Sequence, residues 1–167
     1  MSTNSLQMGK VVPVETLRGR STFEVEELLV LYEEAAEYLR AFSWCGKIEE
    51  GFAGICVPGL VGVFLFRFEP AASDVDPWVW VITGDVPPAY VTTENAPNPA
   101  CALDGYIGAM QSWARAVREK RPVSGEIPVN APATTAYADL LEARLTLLDQ
   151  EVLPRYRADL LESRRKP

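Results

Sequence analysis

The sequence contains no histidine. That absence rules out a Ser-His-Asp or Cys-His arrangement and any zinc or iron site built on imidazole. It also removes the commonest acid/base group near neutral pH, leaving carboxylate, lysine or tyrosine chemistry as the routes open to an enzyme. Cysteine is scarce. Cys45, Cys56 and Cys101 are an odd number without CxxC spacing, so no disulfide framework is expected, and each reads as a small buried hydrophobe. No apolar run approaches the ~20 residues that span a bilayer. The longest, Leu60 to Phe66, is the length of a strand. Met1 to Met8 lack the basic start and apolar centre of a secretion signal, which points to a cytoplasmic protein with no membrane partner. Positive charge is short as well. Sixteen Lys and Arg against 23 Asp and Glu give a net charge of −7, which argues against binding nucleic acid. The one basic cluster, Arg155 to Lys166, is accounted for by compensation of a helix dipole.

What is present fits one ordinary domain. The chain has 167 residues, 48% of them hydrophobic and 23% charged, which excludes global disorder. Residues 1–20 read as a loose arm or a short edge strand at Val11 to Val14, residues 21–157 as a single domain, and 158–167 as a basic tail. Ser21 to Glu24 reads as a capping box with Ser21 at the N-cap. Val25, Leu28, Leu29, Tyr32, Ala35, Ala36, Leu39 and Phe42 then recur at helical spacing, predicting a long amphipathic helix that ends near Gly46.

From Ile48 the period changes. Phe52 to Val57, Pro58-Gly59 and Leu60 to Phe68 predict a β-hairpin with a type II turn. Trp78 to Ile82 is a third strand, apolar on both faces and therefore covered on both or central in its sheet. Pro87-Pro88 predicts a loop. Asn98 and Pro99 suit the N-cap and first position of a second helix carrying Leu103, Tyr106, Ile107, Met110, Ala114 and Val117. Residues 122–133 form a linker-like loop, and a last helix runs from Thr135 to about Leu153, where Pro154 kinks or ends it. The order α-β-β-β-α-α implies an α+β fold, a meander of at least three antiparallel strands packed against about three helices.

The charge on the first helix is its most unusual feature. Glu24, Glu26, Glu27, Glu33, Glu34 and Glu37 occur with no basic residue between Arg20 and Arg40. They form either an acidic ridge that docks on a basic partner or a solvated outer face favoured by the helix dipole. Trp78 and Trp80 share one strand face and, with Trp44 and Trp113, line a pocket, anchor an interface or pack the core. Asp74 and Asp76 have the spacing of cation ligands but lack the further oxygens and glycine such a loop needs. Asp85 reads as a turn residue bonding its own backbone, or as a site residue at the mouth of a pocket.

The stretch Trp78-Val-Trp-Val-Ile-Thr-Gly-Asp-Val-Pro-Pro-Ala-Tyr-Val91 resembles a segment of an uncharacterised bacterial family, in which an aromatic strand is followed by Gly-Asp-x-Pro and a Tyr-Ile/Val ending. The likeness continues more weakly through Ala109 to Trp113 and Leu140 to Tyr156, covering about half the chain. It implies an architecture and a bacterial origin, and no activity. No catalytic residue, cofactor or metal ligand is expected. The favoured expectation is a non-catalytic cytoplasmic domain that binds a protein, possessing the character of a bacterial immunity protein that occludes a basic toxin, through Glu26, Glu27, Glu33, Glu34 and Glu37. The alternative is a small-molecule module or histidine-free enzyme with a pocket near Trp78, Trp80, Asp85 and Tyr90. A further alternative is a structural subunit of an assembly.

Overall fold

Strand β3 (Val61–Pro70) explains why the central strands show no polar alternation. Val61, Val63 and Leu65 point into one apolar cluster, whereas Phe64, Phe66 and Phe68 point into another. The same split divides β4 (Trp78–Gly84): Trp80 and Ile82 join the first cluster, Val79 and Val81 the second. A period of two is therefore intact, but both faces are covered.

The computed structural model describes residues 6–20 and 22–165. The remaining elements are β1 (Val12–Pro13), α1 (Phe23–Arg40), β2 (Cys45–Val57), β5 (Ala89–Thr92), α2 (Pro99–Arg118), α3 (Thr135–Leu147) and α4 (Arg157–Arg165). The fold is α+β. Five strands form an open antiparallel sheet in the order β1-β2-β3-β4-β5, with Leu65 opposite Trp80 and Trp80 opposite Val91. Helix α1 lies on one face with Leu31, Tyr32, Ala35, Ala36 and Leu39 buried against the phenylalanines. Helices α2 and α3 supply the other face through residues such as Leu103, Tyr106, Met110, Leu141 and Leu145. Each large apolar side chain withdrawn from water in this way contributes about 1.5–3 kcal/mol.

Several local choices follow the chemistry of single residues. Val57 accepts the Leu60 N–H at 3.0 Å, and Gly59 takes φ +76°, so Pro58-Gly59 is the type II turn its residues require. The Asn98 side chain accepts the Cys101 N–H with Pro99 opening α2.

Other expectations change. Ser21 lies outside the described residues, and Thr22 caps α1 by accepting the Val25 N–H. Helix α1 stops at Arg40 instead of near Gly46, because Phe42 and Trp44 turn into an aromatic cluster with Phe68 and Tyr90. Strand β2 begins as early as Cys45, and its polar stretch is held to β3 by Arg67, which bridges Glu49 and Glu50. A fifth strand, β5, follows the two prolines directly.

Residues 6–20 contain the edge strand, with Val11 and Val14 buried, and Gln7 N–H is bonded to the Pro97 carbonyl at 2.8 Å. The last helix is broken: after α3 the chain forms a π turn over Leu148–Val152 and a 3-10 turn over Leu153–Tyr156, where Pro154 has no N–H to donate. It then resumes as α4, so the segment read as a basic tail is helical as far as Arg165. That helix is tied back by Lys10 to Asp159 at 2.9 Å.

Candidate functional site

The Gly84-Asp-Val-Pro-Pro88 segment is a junction. Gly84 has φ +132°, and a Cβ there would collide with the Leu60 carbonyl, so only glycine fits. The next N–H, of Asp85, bonds that same carbonyl at 2.9 Å, and Val86 is buried. Tyr106 on α2, fully buried, donates its hydroxyl to the Pro87 carbonyl at 2.5 Å. Burial pushes this phenol well above its ordinary pKa, consistent with a permanent donor. The Asp85 carboxylate does not fold back on its own backbone: it accepts from Arg144 Nε on α3 at 2.8 Å. One short segment thus joins the β3–β4 sheet to α2 and α3.

A cleft of about 360 Å³ opens beside it, lined by Asp85, Pro88, Asn130, Tyr137, Leu140 and Arg144. Neither Trp78 nor Trp80 reaches it. Trp80 is 1% exposed and donates its indole N–H to the Ala96 carbonyl at 2.8 Å, which makes it a core residue. Trp78 packs against Phe52 with ring centroids 5.9 Å apart. Trp113 sits on α2 against Tyr137. Tyr90 belongs to the opposite face of the sheet, with Phe42 and Trp44. The pocket expected around Trp78, Trp80, Asp85 and Tyr90 therefore does not form as one site, because strand alternation sends Tyr90 away from Trp80 and Asp85 lies past the end of the strand's buried stretch.

On the Tyr90 face there is a separate open pit of about 300 Å³, lined by Trp44, Phe68, Asp76, Trp78, Tyr90 and neighbouring apolar groups. Tyr38 lies at the edge of this aromatic group, stacked edge-on to Phe42 at 5.2 Å. Burial and the proximity of Tyr90 push its phenol up to about 12. Sequence reading named Trp44, Trp78 and Tyr90 as pocket candidates but missed their assembly with Phe42 and Phe68. Its signal was the dense run of aromatics Tyr38, Phe42 and Trp44 at the point where helical spacing fails. Asp76 accepts the Trp78 N–H at 3.0 Å. Among the described residues there is no group of three or more Cys, Asp or Glu placed to hold a metal ion.

The acidic ridge is where the helical spacing puts it. Glu24, Glu26, Glu33, Glu34 and Glu37 are exposed and Glu27 is half-buried. Two apolar side chains stand among them, Phe23 at 66% and Val30 at 56% exposure. Glu33 is tied at 3.5 Å to Arg18, which also pairs with Glu15 at 2.9 Å and lies over the Tyr32 ring. Among the described residues no other ridge glutamate has an ion-pair partner. Among the described residues no helix is long and apolar enough to cross a membrane. No protein-family model matches this chain, and neither a curated protein nor a solved structure matches it significantly.

Proposed function

We propose that this chain is a non-catalytic domain that binds a basic protein through the outer face of α1, in the manner of an immunity protein that neutralises a toxin by covering it. One observation carries the reading: Phe23 and Val30 are the two most exposed large apolar groups on α1 and stand in a field of glutamates. Positions 23, 26, 27, 30, 33, 34 and 37 recur at steps of three and four, so they form one continuous stripe along the helix. Apolar anchors ringed by charge of one sign are the make-up of a protein interface with a complementary partner. The uncompensated carboxylates would speed encounter with a lysine- and arginine-rich surface.

Affinity capture from a lysate of the source organism tests this, at low salt and at about 0.5 M salt, where the Debye length shrinks to a few ångström. The comparison variant is Glu26→Lys, Glu34→Lys and Glu37→Lys together, which leaves the Arg18–Glu33 pair in place. The expected result is a basic protein, identified by mass spectrometry, that the native chain retains at low salt and that both the variant and high salt release. Retention that is equal for the variant, or no retained protein, would remove the ridge as a binding surface.

A further inference from the structure

We infer that the aromatic pit on the β4–β5 face is a binding site for an organic cation of the methylated-ammonium class, separate from the α1 ridge. Trp44 and Tyr90 have ring centroids 5.1 Å apart with planes at 63°, and Trp44 and Phe68 are 5.5 Å apart at 59°. The half-buried Trp44, Trp78 and Tyr90 and the buried Phe68 line one space of about 300 Å³, in which a ligand can lie against aromatic faces. Such faces carry partial negative charge and attract a cation lying within about 6 Å of the ring centre. Phe68 is buried, whereas Trp44 and Tyr90 are only half-buried, so the walls remain open to a ligand.

The single charged group that lines the pit is the carboxylate of Asp76, and it is exposed. Its Oδ1 is oriented by the Trp78 N–H at 3.0 Å. One carboxylate beside several aromatic faces selects for positive charge with an apolar skin, which a methylated ammonium has and a hydrated ammonium lacks. The net charge of −7 acts in the same direction. A neutral apolar ligand would gain from the rings but nothing from Asp76. Two sources present this chemistry, a free quaternary ammonium compound or a trimethylated lysine on a protein.

The tryptophans report on the site directly. In a proton–nitrogen correlation spectrum, the four indole N–H signals are followed during titration with choline, with a trimethyllysine peptide and with 3,3-dimethylbutanol, the uncharged analogue of choline. The expected result is a shift of the Trp44 signal by at least one of the two cations, with a dissociation constant on the order of 1 mM. Trp80 and Trp113, on the other face of the sheet, should not move. Whichever cation binds tighter assigns the source. The alcohol should bind weaker by about tenfold or more. Tyr90→Phe keeps the π face and should bind as the native chain does, whereas Tyr90→Leu and Asp76→Asn should each weaken binding by several-fold. An alcohol that binds as well as choline, or no movement of Trp44 with either cation at about ten times the expected constant, would overturn the inference.

Discussion

Gly84→Ala adds one methyl group at a residue whose φ is +132°. L-residues avoid that region, and holding alanine there costs about 1–3 kcal/mol. The new Cβ would also meet the Leu60 carbonyl, a backbone atom that cannot rotate aside. Moving it sacrifices the bond it accepts from the Asp85 N–H, worth about 1 kcal/mol. The two effects together predict a loss of about 2–4 kcal/mol, or about 5–15 °C in Tm for a chain of this size. The internal control is Gly108→Ala. That glycine lies within α2 with nothing within 4 Å of an added Cβ. The same methyl group there should stabilise by about 0.5–1 kcal/mol, through helix propensity alone. Urea unfolding followed by tryptophan fluorescence, with thermal scans beside it, measures both. If Gly84→Ala falls within about 0.5 kcal/mol of the native chain, the junction is not held as described. Two changes of the same sign would sink the reasoning equally.

Two further outcomes follow from one buried and one half-buried group. Tyr106→Phe removes the donor to the buried Pro87 carbonyl and should cost about 1–3 kcal/mol in the same unfolding experiment; a neutral result would mean that water replaces the hydroxyl. The Cys56 thiol is pushed up from its ordinary 9.0 to about 11, by burial first and by Glu27 second. Because the thiolate is the nucleophile, alkylation by iodoacetamide in a Cys45→Ala, Cys101→Ala background should keep rising through pH 10 and reach its midpoint only near 11. The sign for stability is the same: the folded chain favours the protonated thiol, so this contribution is intact below the ordinary value and is lost as pH rises toward 11. An alkylation midpoint at the ordinary value would show that the thiol is open to solvent.

Much of the architecture was legible because single residues dictate it. Pro58-Gly59 has one comfortable turn, Asn98-Pro99 has one comfortable place at a helix start, and doubly apolar strands need cover on both faces. What sequence reading missed depends on partners distant in the chain. Strand β5 is four residues long behind two prolines, and it is pairing with β4 that makes it a strand. The polar start of β2, ahead of the strand predicted from Phe52, is held in the sheet by Arg67, which bridges Glu49 and Glu50 from the neighbouring strand. Asp85 has the chemistry of a turn residue, and only the fold brings Arg144 to it.

The same holds for the candidate sites. The ridge was legible, since its spacing is local, but Arg18 lies just outside the helix and so its pairing with Glu33 was not. The aromatic pit was legible only in part: Trp44, Trp78 and Tyr90 were pocket candidates, but their meeting with Phe68 was not foreseen. Trp44, Phe68 and Tyr90 come from three separate segments, and nothing in their spacing announces that they meet.

The outer face of α1 carries the proposed function, and the association rate with a basic protein recovered by capture reads that face most directly. Surface plasmon resonance at two salt concentrations should show association slowed by about tenfold or more when Glu34 and Glu37 are both changed to lysine, with the salt dependence flattened. Association that proceeds at the native rate, with its salt dependence unaltered, would contradict the claim that these glutamates steer a partner onto the helix.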